Sequence, residues 1–200
     1  MKILLLFAHP RLEKSRTHIE LLKAIPQNSD ITFFDLYENY PHFQIDVVEQ
    51  QKLLLEHDFI IWQHPLYWYS CPPLLKQWID MVLEFDWAYG PHGKMLQGKK
   101  ICSIISTGGS AEAYRTDGGN QFTMEEFLRP FEQTIRLCKM QFLPPFLIHG
   151  THRLNDDQLK DYARLYGEFL NQITEEKIDF DAWALHQNAA SYFTQKQIDL

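Results

Sequence analysis

The segment Phe59–Asp80 reads FIIWQHPLYWYSCPPLLKQWID, and its pattern decides the fold that we predict for the chain. It begins with an apolar run typical of a buried strand and ends, from Pro73 onwards, with the apolar stripe of an amphipathic helix. The loop between them, His64–Tyr69, carries three aromatic rings. Open α/β sheets bind ligands beyond the carboxyl ends of their strands, so we expect this loop to form one wall of a site for a flat ligand.

Strands and helices alternate on both sides of this segment, which is typical of a parallel sheet with crossover helices. The predicted strands are Lys2–Ala8, Ile31–Leu36, Phe59–Gln63, Lys100–Ser106 and Phe142–His149. The predicted helices are about Ser15–Ile25, Val47–His57, Pro73–Phe85, Met124–Lys139 and Asp156–Ile173. Right-handed crossovers permit the strand order 2-1-3-4-5, with the switch point between the first and third strands. The predicted fold is therefore a doubly wound α/β sheet of five parallel strands with helices on both faces.

Length and composition fit a single globular domain followed by a tail. The chain has 200 residues, of which 45% are hydrophobic. Residues 1–173 are expected to form the domain, and the composition changes at Thr174, where an aromatic-bearing tail, residues 174–200, begins. The run Ile3–Phe7 is too short for a signal-peptide core or a membrane span, so we expect a cytoplasmic protein.

Charge and cysteine usage exclude several classes of function. The formal net charge is −7, and no cluster of Lys and Arg is present, so nucleic acid is not an expected partner. Cys71, Cys102 and Cys138 lie far apart without a Cys-x-x-Cys pair, which predicts neither a disulfide framework nor a zinc site.

The loop His9–Thr17 follows the first strand and leads into a helix that Ser15 can cap. Free backbone N–H groups at a helix start, together with the helix dipole, favour a bound phosphate. Additional hydrogen bonds could come from His9, Ser15, Arg16 and Thr17. The alternative is an ordinary capped helix after a polar loop. The loop has neither G-x-G-x-x-G nor a Walker motif, which counts against a dinucleotide-binding Rossmann domain and an ATPase.

The loop Ser106–Ser110 follows the fourth strand and contains the pair Gly108-Gly109, with Tyr114 shortly after. Glycine lets backbone amides approach a ligand closely because no Cβ intervenes, although the pair could also merely turn the chain. All three loops are expected at the same edge of the sheet. A phosphate site, an aromatic wall and a row of free amides together fit a flavin nucleotide.

These motifs resemble those of the flavodoxin-like NAD(P)H:quinone oxidoreductases. The resemblance rests on His9 with Ser15, on QHPLYWY (Gln63–Tyr69) followed by PLLK (Pro73–Lys76), and on Thr107-Gly108-Gly109 with Tyr114. Within that family the chain is most similar to the ancillary proteins of glutathione-regulated potassium-efflux systems. That similarity lies in YPHFQID (Tyr40–Asp46), LYWYSCP (Leu66–Pro72) and LRPFE (Leu128–Glu132), and the likeness extends to about Leu170.

The resemblance implies a bound FMN, or alternatively FAD, that is reduced by NAD(P)H and passes two electrons as a hydride to quinones or related electrophiles. It assigns the phosphate to His9, Ser15, Arg16 and Thr17, and the ring to Pro65, Leu66, Tyr67, Trp68 and Tyr69. It directs the backbone N–H groups of Thr107, Gly108 and Gly109 at the pyrimidine edge, where preorganised donors stabilise developing negative charge. Tyr114 is the candidate hydroxyl donor at that edge and a further cofactor-binding residue. The catalytic residues that the resemblance implies are Gly108, Gly109 and Tyr114.

One position departs from the family pattern. Quinone reductases of the animal type pair this tyrosine with a histidine six residues further on, where this chain has Asn120. An amide can donate a hydrogen bond but cannot accept a mobile proton, so we do not expect a proton relay through Asn120. Tyr114 could alternatively be a packing residue of a surface loop.

The remaining candidates are weaker. The nine histidines lack zinc-binding spacing, so no metal site is predicted, and we interpret His42, His92, His149 and His152 as surface or packing residues. Cys71 could sense thiol-reactive electrophiles or simply fill space as a small apolar residue. The segment Trp87–Gly90 could close over the flavin or be a turn capped by aromatic rings.

The tail carries more apolar surface than a free terminus should expose, through Phe180, Trp183, Tyr192 and Phe193. Long-tailed members of the resembled family wrap this region around a second subunit, which predicts a homodimer; the alternative is a tail that folds back on its own subunit. Two functions remain open: a quinone reductase, and a regulatory subunit of a membrane potassium-efflux protein with incidental turnover.

Overall fold

The computed structural model describes residues 1–198 and the side chains of residues 1–193. Its sheet consists of β1 (Ile3–Phe7), β2 (Ile31–Asp35), β3 (Phe59–Pro65), β4 (Lys100–Ser106), β5 (Gln141–Phe142) and β6 (Phe146–Ile148). The strands pair in parallel in the order β2-β1-β3-β4-β5, and β6 also pairs with β4. The predicted doubly wound α/β fold is confirmed.

The prediction of one continuous strand over Phe142–His149 is wrong, because β5 and β6 are separate. Pro144 and Pro145 lie between them, and proline has no backbone N–H to donate to a neighbouring strand. β5 pairs with the start of β4 and β6 with its end. The second piece still brings the chain after β6 to the carboxyl edge of the sheet.

The helices before the tail are α1 (Arg16–Lys23), α2 (Leu36–Asn39), α3 (Val47–Glu56), α4 (Pro73–Val82), α5 (Met124–Leu137) and α6 (Asp156–Thr174). All except α2 were predicted to within three residues at either end. The single turn α2 is too short to show an apolar repeat, and the Asp35 side chain caps it by accepting the N–H groups of Tyr37 and Glu38. No helix in the described part of the chain is long and apolar enough to cross a membrane.

The sheet is covered on both faces, which explains why β1 (ILLLF) and the start of β3 (FIIW) are continuously apolar rather than alternating. β1 directs Leu4 and Leu6 to the layer that α3, α4 and α5 close, and Ile3, Leu5 and Phe7 to the layer that α1 and α6 close. β1 and β3 are buried along their whole length, and β4 is buried from Ile101 onwards, so the core holds the ends of these three strands in place.

The described part of the tail packs against the chain's own core. It contains α7 (Phe180–Ala184) and α8 (Ala189–Ile198), neither of which was predicted, and its last two residues lie outside the described part. Trp183 is 0% exposed, and its ring lies 6.2 Å from that of Phe59 and 5.5 Å from that of Phe169. The described part of the tail thus folds back on its own subunit, and its docking at a dimer interface stays a prediction. Its apolar residues do not require a partner, and the homodimer stays a prediction.

The loop Trp87–Gly90 lies at the amino edge of the sheet, so the suggestion that it closes over a ligand at the carboxyl edge is wrong. Because α4 runs antiparallel to the strands that it connects, the loop that follows it comes out at the amino ends of those strands. The ammonium group of Lys139 donates to the carbonyls of Gly90 and Gly93 at 3.3 and 2.7 Å, which holds this loop.

Candidate functional site

The loops after β1, β3 and β4 open into one cavity at the carboxyl edge of the sheet. Its volume is about 510 Å³, within the range typical of cofactor sites. The residues that line it are His9, Arg11, Lys14, Ser15, Arg16, Thr17, Pro65, Leu66, Tyr67, Ser106, Gly108, Thr151 and His152. The structure therefore brings residues of all three predicted loops together. It leaves other predicted site residues outside the lining, namely Trp68, Tyr69, Thr107, Gly109 and Tyr114.

His9 offers a hydrogen-bond donor to the cavity. Its Nδ1 accepts the backbone N–H of Arg11 at 3.2 Å, so the neutral ring carries its proton on Nε2. Burial of the ring lowers the pKa of His9, which favours this neutral form. A neutral N–H donor suits a phosphate oxygen or another acceptor.

Ser15, in the loop after β1, caps the start of α1. Its hydroxyl oxygen accepts the backbone N–H of His18 at 3.2 Å, which leaves the hydroxyl proton available to a ligand. The first N–H groups of a helix have no partner within the helix, and the dipole makes this end positive. The start of α1 thus has the donors and the field that a phosphate needs.

The cavity lining includes Arg16, which was predicted to contact the phosphate, and Lys14, which was not. The guanidinium of Arg16 pairs with Asp156 at 2.5 Å and donates to the carbonyl of Leu154 at 3.3 Å, so the first turn of α6 already neutralises much of its charge. Lys14 also lines the cavity, and no carboxylate of the described residues pairs with it. Lys14 is therefore a better candidate than Arg16 for an unneutralised positive charge beside a bound phosphate.

The three aromatic rings after β3 do not form one wall. Tyr67 lines the cavity, but Trp68 and Tyr69 have φ of 48° and 61° and occupy the middle of a tight turn closed by the Ser70 N–H and the Tyr67 carbonyl. This turn directs Trp68 into solvent, where it is 93% exposed, and Tyr69 onto Phe127, with 4.8 Å between the ring centroids. Positive φ is rare for bulky residues, so the turn is a strained feature of the site.

The glycine loop is joined to the chain that follows β6. The N–H of Gly150 donates to the Gly109 carbonyl at 2.8 Å, and the N–H of Thr151 donates to the Thr107 carbonyl at 3.0 Å. A Cβ on Gly108 would lie 3.1 Å from the ring of His152. Glycine at this position therefore keeps space between the loop and the histidine at the cavity wall. The Thr107 hydroxyl donates to the Gly109 carbonyl at 2.8 Å and so stays within the loop.

Tyr114 lies behind this loop, next to a histidine that the sequence motif does not contain. Its ring centroid is 5.5 Å from that of His149, whose Nδ1 lies 3.0 Å from the Thr107 hydroxyl. Burial raises the pKa of Tyr114, so its hydroxyl remains a donor near neutral pH. The Asn120 side chain instead accepts the Tyr69 hydroxyl at 3.3 Å.

Interpretation of the sequence missed several residues at the site: Arg11, Lys14, Ser106, His149, Thr151 and His152. His152 is an exposed residue at the cavity wall and His149 is a half-buried residue packed against the glycine loop, so both fit the interpretation as surface or packing residues, but they lie beside the site. Both follow a strand that the prolines interrupt. The predicted strand Phe142–His149 ends at the carboxyl edge of the sheet, and this end was the signal that could have placed the two histidines near the site.

Cys71 does not have the surroundings of a reactive thiol. It is buried in the layer beneath α4, and burial raises its pKa to about 11. Since the thiolate is the reactive form, this favours the packing interpretation over the sensing one.

Comparison with known proteins gives a family and close relatives. Residues 1–192 match the family model described as "Flavodoxin-like fold". The chain is 46% identical over 169 residues, 84% of its length and 92% of the relative's, to the glutathione-regulated potassium-efflux system ancillary protein KefG of Salmonella paratyphi B.

Two solved structures are similar over nearly their whole length. General stress protein 14 of Treponema denticola, in complex with FMN, has a TM-score of 0.82 and 42% identity over 86% of this chain and 99% of that one. An NADPH-quinone reductase from P. pentosaceus has a TM-score of 0.77 and 35% identity over 85% of this chain and 98% of that one.

Proposed function

We propose that this chain, which belongs to the family with the flavodoxin-like fold, is an FMN-dependent NAD(P)H:quinone oxidoreductase. One observation carries the proposal: a single cavity joins the capped start of α1, the apolar stretch Pro65–Tyr67 and the glycine loop at Gly108. A relative solved with FMN and another named as an NADPH-quinone reductase support the same function.

The residues of the cavity fit a flavin nucleotide by their chemistry. His9, Ser15 and the start of α1 supply donors for a phosphate, and Lys14 supplies a positive charge. Pro65, Leu66 and Tyr67 supply an apolar wall for a flat ring. The missing Cβ of Gly108 leaves room between the loop and His152. FMN is favoured over FAD because a relative of similar length is solved with FMN.

When bound, a flavin supplies hydride transfer, and the protein supplies binding, orientation and electrostatics. In this chain the loop Thr107–Gly109, fixed by its bonds to Gly150 and Thr151, would hold backbone donors in place without reorganisation. Tyr114 would keep a proton on its hydroxyl beside that loop. NAD(P)H as reductant and a quinone as acceptor complete the proposed reaction.

The decisive experiment is to purify the protein, record its visible spectrum, and identify any released cofactor by mass. We expect FMN and NAD(P)H-dependent reduction of a quinone. A colourless protein that neither FMN nor FAD reconstitutes would contradict the proposal.

A substitution at Ser15 tests the phosphate site separately. Ser15→Ala should weaken FMN binding by about 10-fold or more, because a hydrogen bond to a charged group is lost, yet leave the affinity for riboflavin, which has no phosphate, unchanged. Asp46→Ala is the matched control, because it removes an equivalent cap, that of α3, at a residue that does not line the cavity. Equal losses for FMN and riboflavin would place the phosphate elsewhere.

A second candidate function is that of an ancillary subunit of a membrane potassium-efflux protein, favoured by the 46% identity to KefG. This role is compatible with reductase activity and with the proposed cytoplasmic homodimer. It predicts that the chain co-purifies with a potassium-efflux transporter. It also predicts that the transporter still requires the chain when Tyr114→Phe has lowered quinone reduction. Efflux that is unaffected by deletion of this chain would argue against it.

A further inference from the structure

A buried hydrogen-bonded chain lies directly beneath the cavity on the α1 and α6 side of the sheet. It runs from the Tyr166 hydroxyl to Gln63 Oε1 at 2.8 Å, from Gln63 Nε2 to His18 Nδ1 at 3.3 Å, and from His18 Nε2 to Ser106 Oγ at 2.9 Å. Tyr166, Gln63 and His18 are completely buried, and only Ser106, at the end of β4, reaches the cavity.

The direction of every hydrogen bond in this hydrogen-bonded series follows from its buried end, the hydroxyl of Tyr166. The O–H of Tyr166 has one acceptor among the described residues, which is Gln63. A buried donor without an acceptor is costly, so Gln63 must present its carbonyl oxygen to Tyr166 and its amide N–H to His18. His18 Nδ1 then accepts, and the imidazole proton lies on Nε2.

His18 therefore donates to Ser106. The Ser106 oxygen is engaged as an acceptor, and no other described residue accepts its proton, so the hydroxyl proton is free to point into the cavity. With the opposite tautomer of His18, Ser106 would donate inward and offer only lone pairs to a ligand. The imidazole thus decides whether this wall of the cavity donates or accepts.

We propose that His18 is a positioning residue that fixes the Ser106 hydroxyl as a hydrogen-bond donor to an acceptor atom of the bound flavin nucleotide. This inference rests on the proposed function for the identity of the ligand. His18 acts only through Ser106, since its side chain does not line the cavity. Burial keeps the His18 ring neutral, because desolvation lowers its pKa well below the usual value. The nearby His9 and His64 lower this pKa further, by charge repulsion.

The tautomer is tested first, on the protein without ligand, by ¹⁵N NMR of the imidazole nitrogens, with the His18→Gln spectrum identifying the signals of His18. We expect a protonated Nε2 and an unprotonated Nδ1. A protonated Nδ1 would overturn the proposal whether or not the protein binds a flavin.

Affinity for FMN is then measured by quenching of FMN fluorescence in titrations with apoprotein. Ser106→Ala and His18→Phe should each weaken binding by about 2- to 10-fold, the range of one neutral hydrogen bond. The double variant should bind no more weakly than the weaker single variant, because both remove the same interaction. His18→Gln, whose amide can both accept and donate, should restore affinity to within about 2-fold of wild type.

His57 provides a matched control. It is equally a buried histidine with two partners, the Leu53 carbonyl and the Thr32 hydroxyl, each at 2.7 Å, but it lies remote from the cavity. His57→Phe should lower stability and leave FMN affinity unchanged. Wild-type affinity in His18→Phe or Ser106→Ala, or additive losses in the double variant, would overturn this inference alone. A wild-type protein that binds no FMN would overturn the proposed function and the ligand named here.

Discussion

At the scale of single residues, the site depends on groups whose protonation the fold fixes. His9, His18, His64 and His149 all have a pKa lowered by burial, while that of Tyr114 is raised. Near neutral pH, His9, His149 and Tyr114 are therefore uncharged donors at the loops after β1 and β4, and His18 and His64 are uncharged in the core. Neutral donors of this kind can bind an anionic cofactor without adding counter-charge at every contact.

Tyr114 is the residue whose role can be separated most cleanly from binding. If its hydroxyl donates at the site, Tyr114→Phe should lower kcat by roughly 100-fold, the lower end of what a positioned donor contributes, with FMN affinity within about 2-fold of wild type. Steady-state kinetics and FMN titration measure both. Tyr162→Phe serves as control, because Tyr162 is also half-buried but lies on α6, outside the cavity lining. An unchanged kcat would reduce Tyr114 to a packing residue.

His64 should make the protein sensitive to acid. In the unfolded chain His64 has its ordinary pKa of 6.5, whereas burial lowers the pKa in the folded protein to about 4. Between these two pH values the unfolded state therefore binds more protons than the folded state. The contribution of neutral His64 to the free energy of unfolding is therefore fully present above pH 6.5 and is lost as the pH falls towards 4. Between pH 7.5 and 5, wild type should lose about 2 kcal/mol more than His64→Leu in urea unfolding. A parallel pH dependence of the two proteins would refute this, and His42→Gln, an exposed site, is the control.

At the scale of elements, the start of α1 lines the cavity, and α1 packs closely against α6. Gly167 faces the end of α1, and a Cβ there would lie 2.8 Å from the carbonyl oxygen of Ala24. The close approach of the two helices also allows the ion pair between Arg16 and Asp156. A glycine inside a helix lowers its helical propensity, and here the packing of backbone on backbone explains why it is present.

Gly167→Ala tests this packing. We expect a loss of about 1–3 kcal/mol in the free energy of unfolding, because the added methyl group forces the helices apart and outweighs its propensity gain of roughly 0.5–1 kcal/mol. Urea denaturation measures the change. Arg164→Ala, on the exposed face of α6, should change stability by less than about 0.5 kcal/mol. Stabilisation by Gly167→Ala would show that α6 can move away from α1 without cost.

At the scale of the whole molecule, the tail completes one of the two core layers. Ile178, Trp183, Tyr192 and Phe193 are buried against residues of the sheet and α6. Trp183→Ala should therefore lower the free energy of unfolding by about 3–5 kcal/mol. Leu185→Ala, at a residue 88% exposed in the same tail, should have little effect.

The oligomeric state gives this prediction a second readout. If the tail only completes its own subunit, sedimentation of Trp183→Ala under native conditions should show the same association constant as wild type. Weaker association with unchanged stability would instead mean that the tail binds a second subunit in solution.

The sequence by itself determined the fold class, the strand order, five helices and the three loops at one edge of the sheet. Apolar period, caps and breakers are local signals, and the handedness of crossovers then leaves few arrangements. Only the tertiary structure decided which side chains of those loops meet. The strained turn sends Trp68 into solvent, Asp156 neutralises Arg16, and His18 reaches Ser106 across 88 positions of the chain. Contacts between residues distant in sequence depend on side-chain direction and helix packing, which no local pattern encodes.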